Sequence, residues 1–283
     1  MNLFQAIIFG IIQGLTEFLP ISSTAHLTIA AKLMHVIPLM SDNEWTAFMA
    51  VIQLGTMLAV LIYFWKDVWE ILLAFFKENI GDKRVKFDKQ SLNSKLGWLI
   101  IIGSIPVGLV GLSLKKIIEG ALTKDLYVIA ASMVGLAILL AIAEKIAKFR
   151  KELKEITPKD AFWVGVAQCF ALIPGSSRSG TTITMGLFLG MKRETAARFS
   201  FLLSLPAVFA SGLLELWEAR KFINPALSGD LIIATIFSLI FGYWSIDLLL
   251  KFLRTKTTFV FVYYRIALGI AILILISMHF IMP

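Results

Sequence analysis

Six apolar stretches of the sequence are each long enough to cross a lipid bilayer as a helix, which takes about 20 mostly apolar residues. They cover residues 44–64, 95–113, 126–143, 194–216, 229–250 and 259–280. Only 16% of the residues are charged, whereas a soluble domain carries about 25%. The sequence therefore predicts an all-α polytopic membrane protein, with six transmembrane helices in a single integral membrane domain over residues 1–283.

Two further apolar regions, residues 3–34 and 160–190, are interrupted near the middle by polar and loop-forming residues. The interruptions read Glu17-Phe-Leu-Pro-Ile-Ser-Ser-Thr-Ala-His26 and Ile173-Pro-Gly-Ser-Ser-Arg-Ser-Gly-Thr-Thr182. Each side is too short to cross, and irregular backbone at membrane depth is tolerated only inside protein or beside a wet cavity. We therefore predict two re-entrant helical hairpins whose tips lie inside the bundle.

Each predicted hairpin is followed by three predicted spans, so the chain divides into two similar halves, about 1–150 and 156–283. The motif Pro20-Ile-Ser-Ser-Thr24 aligns with Pro174-Gly-Ser-Ser-Arg178, at an offset of 154. Because three is an odd number, the second half is expected to be inverted relative to the first, as in inverted-repeat transporters. The two tips would then enter from opposite faces and meet near the midplane.

The distribution of basic residues predicts the orientation. Of the 27 Lys and Arg residues, 18 fall in the loops 65–95, 144–159, 191–193 and 251–258. By the positive-inside rule this face is cytoplasmic, so both termini and the site are expected to face the periplasm or cell exterior of a bacterial inner membrane. The net charge of +8 thus reflects membrane orientation rather than nucleic-acid binding. Residues 67–76 are expected to form an amphipathic helix on the inner surface.

The two tips carry a carboxylate, an imidazole, a guanidinium and a set of hydroxyl groups. Ionisable side chains at membrane depth are costly, so their presence indicates function. The groups belong to Glu17, Ser22, Ser23, Thr24 and His26 in the first tip, and to Ser176, Ser177, Arg178, Ser179, Thr181 and Thr182 in the second. If the tips meet, they form one pocket that suits phosphate ester chemistry.

Individual residues in the tips fit particular roles. Arg178 can bind a phosphate through parallel N–H donors. Gly175 and Gly180 allow the backbone to come close to a ligand, and the N–H groups that open the next helix favour an anion. Ser23 is the simplest nucleophile, with His26 as its base three residues later on the same side of a helix. Attack by water or by His26 itself stays open.

Other polar residues in the spans favour structural roles. Arg198 lies one turn after Glu194, which predicts a local ion pair. Asp247 and Arg265 lie on successive spans, and we expect a second structural pair between them. Gln53 and Ser204 occupy matching positions in the two halves and are candidates to line the pocket.

At the two tips the sequence resembles the bacterial undecaprenyl-diphosphatase family, also called the bacitracin-resistance protein. The matching motifs are Gln13-Gly-Leu-Thr-Glu17-Phe-Leu-Pro-Ile-Ser-Ser-Thr-Ala-His26 and Pro174-Gly-Ser-Ser-Arg-Ser-Gly-Thr-Thr182, and the likeness covers nearly the whole chain. The resemblance implies a membrane phosphatase, a phosphoric anhydride hydrolase, that converts undecaprenyl diphosphate to undecaprenyl phosphate and inorganic phosphate. That reaction recycles the lipid carrier of cell-wall synthesis.

The resemblance also implies roles for single residues. It places the catalytic set at Ser23, His26, Glu17 and Arg178. The residues expected to contact substrate are Gln13, Ser22, Thr24, Gly175, Ser176, Ser177, Ser179 and Thr182. A divalent cation, Mg²⁺ or Ca²⁺, is expected near Glu17. Many family members have glutamate where this chain has Gln13, which puts a role of Gln13 in metal binding or proton transfer in doubt.

The competing interpretation is an inverted-repeat transporter or flippase of a phosphorylated lipid or anion. Broken helices in inverted repeats are typical of transporters, and Arg178 can bind an anion without cleaving it. The expected partners are a polyprenyl diphosphate lipid, as the substrate, and the lipid bilayer, without nucleic acid. The sequence leaves the oligomeric state open, a homodimer included.

Overall fold

The computed structural model describes residues 2–36, 42–80, 84–114, 125–219 and 225–281. These ranges contain eleven α-helices and no β-strand, so the all-α prediction is confirmed. The helices are α1 (Leu3–Glu17), α2 (Ser23–Leu33), α3 (Asp42–Tyr63), α4 (Trp65–Asn79), α5 (Leu92–Ser113), α6 (Leu126–Ile146), α7 (Pro158–Cys169), α8 (Arg178–Phe188), α9 (Arg193–Ala219), α10 (Pro225–Thr255) and α11 (Phe259–Ser277).

Five helices are long and apolar enough to cross a membrane: α5, α6, most of α9 and α10, and α11. The remaining predicted span, residues 44–64, is α3, which runs into α4 with a bend of 76°. The described helices therefore give five spans, or six if the bent pair counts as one. The chain is a multi-pass membrane protein, and the re-entrant placement of its two hairpins stays a prediction.

Helix α4 contains the amphipathic segment predicted at residues 67–76. One side packs against α5, and Ile71 is buried there. The other side exposes apolar side chains, among them Trp65 and Trp69, whose rings stack with centroids 5.9 Å apart. The helix therefore has one packed side and one side of exposed apolar residues, as expected for a helix that lies on a membrane surface. Its location on the inner membrane surface stays a prediction.

Two helix pairs, α1 with α2 and α7 with α8, match each other in length and in their helix starts. The pairs cover Leu3–Leu33 and Pro158–Phe188, and both helix starts and the end of the second helix align at an offset of 155. Helices α1 and α7 each begin with a capping box. At this offset Pro20 is equivalent to Gly175 and not to Pro174. The predicted alignment of Pro20 with Pro174, at an offset of 154, is therefore wrong by one residue.

Each hairpin packs mainly on the middle span of the other half, α1 on α10 and α7 on α5. Glycines permit this close approach: a Cβ on Gly10 would lie 2.4 Å from the oxygen of Ala234, and one on Gly165 would lie 2.2 Å from the oxygen of Gly103. Gly10 and Gly165 are equivalent at the same offset. The halves are thus interlocked, and their opposite orientation in the membrane stays a prediction.

The ion pair predicted between Glu194 and Arg198 is wrong. Arg198 pairs with Asp67 of α4, and Glu194 pairs with Arg254 of α10 at 2.8 Å. The bend after α3 brings α4 beside α9, a neighbourhood that spacing along one helix does not show. These pairs join the ends of α4, α9 and α10 on the face that carries most basic residues.

Candidate functional site

The loops that connect the two helices of each hairpin end on a serine with an unusual backbone conformation. Ser22 has φ +74° and Ser177 has φ +70°, a region that residues with a side chain seldom adopt. Each hydroxyl caps the next helix, since it accepts from the backbone N–H of Ala25 or Gly180, respectively. Such strain is frequent at functional sites, where surrounding contacts hold it.

The structure brings the two loops together, as predicted. The Ser179 hydroxyl donates to the carbonyl oxygen of Leu19 at 3.1 Å, and it lies 3.4 Å from that of Glu17. Its oxygen also lies 3.1 Å from the hydroxyl of Ser177. A residue of the second loop region therefore bonds directly to the backbone of the first.

The Glu17 carboxylate is the centre of the contact between the loops, and its residue is 7% exposed. Oxygen Oε1 accepts from Arg178 Nη2 at 2.8 Å and from Gln53 Nε2 at 3.0 Å. Oxygen Oε2 accepts from Ser23 Oγ at 2.8 Å and from Gln13 Nε2 at 3.0 Å. Four donors, from α1, the start of α2, α3 and the start of α8, thus hold one carboxylate.

The Arg178 guanidinium keeps one donor nitrogen free for a further anion. Its Nη2 pairs with Glu17, whereas its buried Nη1 has no hydrogen-bond partner among the described residues. The hydroxyl of Ser176, which is 0% exposed, is likewise without a partner in the described part of the chain. Buried polar groups are normally satisfied, so these two groups mark a place for a polar ligand.

Ser23 and His26 do not form the hydrogen bond expected from their spacing. The hydroxyl of Ser23 donates to Glu17 instead. The His26 ring turns back to its own helix start, where Nδ1 lies 2.7 Å from the carbonyl oxygen of Ser22, and Nε2 lies 2.6 Å from the hydroxyl of Tyr264. The reason is local: the backbone N–H of His26 reaches the Ser22 oxygen only at 3.4 Å, which leaves that acceptor open to the ring. The carboxylate beside Ser23 is therefore that of Glu17.

Arg265 of α11 holds both loops through their backbone. It is 1% exposed, and its partners among the described residues are carbonyl groups. The guanidinium donates to the oxygens of Pro20 (3.2 Å), Ser132 (3.4 Å), Met133 (3.1 Å), Gly175 (3.1 Å) and Ser176 (3.1 Å). Loop carbonyls lack helix partners, and a guanidinium supplies five N–H groups. The predicted Asp247–Arg265 pair is wrong, because Asp247 pairs with Lys251 at 2.7 Å.

The remaining predicted residues, Gly175, Thr182 and Thr24, differ in their contacts and burial. Gly175 has φ +86°, and a Cβ there would lie 2.3 Å from the Ser132 hydroxyl, so the position requires glycine. The Thr182 hydroxyl bonds the Arg178 carbonyl oxygen at 2.7 Å and lies 2.6 Å from the Ser200 hydroxyl. Thr182 therefore joins α8 to α9. Thr24 is half-buried in the first turn of α2.

A divalent cation fits this site only together with a ligand. The described residues contain no group of three or more His, Cys, Asp or Glu side chains that could hold a metal ion. Glu17 is flanked by the side chains of Gln13 and Gln53, which offers one carboxylate and two carboxamide oxygens, the hard ligands that Mg²⁺ and Ca²⁺ prefer. Magnesium sites in enzymes commonly combine one or two carboxylates with substrate phosphates, and this donor set has that character.

Sequence reasoning named Gln53 as a pocket residue but missed Tyr264, and it gave Arg265 the wrong partner. A buried arginine in an apolar span beside two irregular loops was the available signal for Arg265. Tyr264 carries no such signal, because 238 residues separate it from His26.

The sequence matches known proteins over nearly its whole length, and the match includes both loops of the site. A family model described as "Bacitracin resistance protein BacA" matches residues 6–271. The chain is 56% identical over 279 residues to the undecaprenyl-diphosphatase of Syntrophobacter fumaroxidans, and the match covers 99% of each chain. It is 48% identical over 292 residues to that of Chlorobaculum tepidum, with 100% of each chain covered. It is 46% identical over 277 residues to that of Myxococcus xanthus, covering 98% of this chain and 90% of the relative.

Proposed function

Because the chain belongs to the bacitracin resistance protein BacA family, we propose that it is a membrane phosphatase that hydrolyses undecaprenyl diphosphate to undecaprenyl phosphate and inorganic phosphate. The observation that carries the mechanism is the carboxylate of Glu17, which lies within hydrogen-bond distance of both a serine hydroxyl and an arginine. This arrangement combines a nucleophile, its base and an anion-binding group. Binding an anion for transport requires no nucleophile with a base beside it, so the transporter interpretation is not favoured.

The terminal phosphate is proposed to bind at the free face of Arg178. Its Nη1 and the Ser176 hydroxyl are two of the buried groups that lack partners among the described residues, and both belong to the second loop region. A phosphate oxygen would satisfy both, and the start of α8 adds a favourable helix dipole. The isoprenoid tail is expected to lie along the apolar helices in the bilayer.

The reaction is proposed to proceed in two steps. The Ser23 oxygen attacks the terminal phosphorus while Glu17 takes the hydroxyl proton, and the bond to the bridging oxygen breaks so that undecaprenyl phosphate leaves. A water molecule then attacks the phosphoserine, its proton is taken by His26, and Ser23 regains its proton from Glu17 as inorganic phosphate leaves. Both steps place charge on the phosphoryl oxygens, which Arg178 is positioned to stabilise.

The proposed cation would be held by Glu17 and the carboxamide oxygens beside it, together with phosphate oxygens of the substrate. It would supply further neutralisation of negative charge on the diphosphate. Arg178 already balances the charge of Glu17 in the structure. We therefore propose that the cation enters with the diphosphate rather than before it.

The site and both termini are proposed to face the periplasm or cell exterior. Support comes from the 18 of 27 basic residues that fall in loops of the opposite side. The inverted arrangement of the two halves is proposed from the odd number of spans that follows each hairpin. Protease removal of tags at either terminus in intact spheroplasts tests this orientation, and tags that resist cleavage until the membrane is opened would contradict it.

The activity is tested with the purified chain in detergent, where no closed compartment exists and transport has no readout. Phosphate release from undecaprenyl diphosphate is expected, and Glu17→Gln is expected to lower kcat by about 10²- to 10⁴-fold, the range for loss of a catalytic base. Glu152→Gln is the matched control, because Glu152 forms an exposed ion pair with Lys192 far from the loops in sequence. Full activity of Glu17→Gln would contradict the mechanism, and no release from the unmodified chain would contradict the function.

A further inference from the structure

Tyr264 and His26 form a pair that joins α11 to the start of α2. The hydroxyl of Tyr264 lies 2.6 Å from Nε2 of His26. The two rings are almost parallel, with an interplanar angle of 5° and centroids 5.6 Å apart. A short hydrogen bond and a stacked ring thus act on the same imidazole, and together they leave it little freedom to turn.

The partners of the two ring nitrogens decide where the proton of neutral His26 lies. A carbonyl oxygen only accepts, so the 2.7 Å contact with Ser22 requires that Nδ1 carries the hydrogen. In the neutral ring Nε2 is then the acceptor, and the Tyr264 hydroxyl is its donor. If Nε2 gains a proton, the same hydroxyl can accept from it, because a hydroxyl serves both roles. Tyr264 therefore suits both protonation forms of the ring.

The pair lies at the edge of the helix bundle rather than in its core. Tyr264 is 44% exposed, and the adjacent Tyr263 is 68% exposed. On the other side Arg265, the next residue of α11, bonds the carbonyls of both loops. The same turn of α11 thus fixes the loop backbone and the imidazole, which links the geometry of the loops to that of the ring.

We propose that Tyr264 is a positioning residue of the site, which holds His26 as the Nδ1–H form, so that Nε2 is the nitrogen that takes a proton when the Tyr264 hydroxyl turns from donor to acceptor. This inference rests on the proposed function, in which His26 takes the proton of the attacking water. Tyr264 does not contact the reacting atoms itself. Its effect on turnover passes through the imidazole.

The test uses a chain in which His26 is the only histidine, made with His35→Asn and His279→Asn. Both positions have positive φ, which asparagine tolerates. Nitrogen-15 NMR of labelled histidine in detergent then reports on one ring. In Tyr264→Phe the ring stack is kept and the hydroxyl is lost, so the Nε2 resonance is expected to move downfield. Phosphate release is expected to fall about 3- to 10-fold in kcat, the range for one hydrogen bond, with little change in KM.

Tyr263→Phe is the matched control, since it removes a hydroxyl from the neighbouring exposed position, and neither the spectrum nor kcat is expected to change. An unchanged Nε2 resonance in Tyr264→Phe would overturn the pairing. A shifted resonance with unchanged kcat would overturn the positioning role. No phosphate release from the His26-only chain, when the unmodified chain is also inactive, would instead count against the proposed function, while the spectrum still tests the pair.

Discussion

Ser23 and Arg178 occupy the same position in two equivalent helices, and both hold the carboxylate of Glu17. Ser23 is the first residue of α2, and Arg178 is the first residue of α8. The hydroxyl donates to Oε2 at 2.8 Å and the guanidinium to Oε1 at 2.8 Å. One helix start thus supplies a nucleophile and the other a cation, so a two-fold scaffold forms a single asymmetric site.

Replacement of Ser23 by alanine is expected to lower kcat for phosphate release by at least about 10³-fold, because a missing nucleophile removes the covalent route. The fold is expected to survive, since the Ser22 hydroxyl rather than that of Ser23 caps α2. A fixed-time assay of phosphate release measures the loss. Mass spectrometry of the acid-quenched unmodified enzyme is expected to detect a phosphorylated Ser23.

Ser104→Ala is the control for the loss of a hydroxyl inside an apolar helix. The Ser104 hydroxyl donates to the carbonyl of Ile100 in its own helix at 2.7 Å, and full activity is expected. If Ser23→Ala kept more than a tenth of the activity, water or His26 would replace Ser23 as the attacking group.

The sequence allowed the spans, the two hairpins and the meeting of their loops to be predicted, because apolar length and buried charge are strong signals in a membrane protein. Arg178 was expected to bind an anion in the shared pocket, and in the structure it pairs with the Glu17 carboxylate at 2.8 Å. These features depend on composition and on rules that hold for any chain in a bilayer.

Side-chain partners that were predicted from spacing along the sequence were less reliable than the predicted spans and hairpins. Ser23 was matched with His26 by helical spacing, but the open carbonyl of Ser22 attracts the ring, and α1 brings Glu17 to the serine. Arg265 was matched with an aspartate, although its donors bind three loop carbonyls and two carbonyls of α6. Such choices depend on how helices distant in sequence pack, and spacing along one helix carries no information about that.

Arg265 is expected to be the most sensitive residue for the stability of the paired loops. Arg265→Met leaves the buried loop carbonyl groups of Pro20, Gly175 and Ser176 without this donor, and each unsatisfied buried group costs about 1–3 kcal/mol. A large fall in the Tm of the detergent-solubilised protein is expected, with faster proteolysis at residues 18–22 and 173–177. Arg254→Met is the control, because its pair with Glu194 is exposed and worth about 0–1 kcal/mol. Equal Tm values for the two variants would contradict the role of Arg265.

Gly165→Ala is expected to separate α7 from α5 and destabilise the second hairpin. The added Cβ would lie 2.2 Å from the backbone oxygen of Gly103, and backbone cannot turn aside as a side chain can. A fall in Tm and a weaker activity are expected together, since the loop at Pro174–Ser177 moves with α7. Gly108→Ala is the control, because a Cβ at Gly108 meets nothing within 4 Å. A Gly165→Ala protein as stable as Gly108→Ala would show that the two helices do not pack so closely.

The proposed cation is expected to bind with substrate and not to the free site. Glu17 already has its charge balanced by Arg178, so a lone cation gains little there, whereas a diphosphate adds negative charge and oxygen ligands. Chelation of divalent ions is therefore expected to stop phosphate release, while added Mg²⁺ or Ca²⁺ leaves the Tm of the substrate-free protein unchanged. Gln13→Glu is the contrasting variant: its second carboxylate, one turn from Glu17, is expected to bind the cation alone and raise the Tm. A cation-dependent rise in the Tm of the unmodified, substrate-free protein would contradict the proposed order of binding, and undiminished turnover after chelation would remove the cation from the reaction.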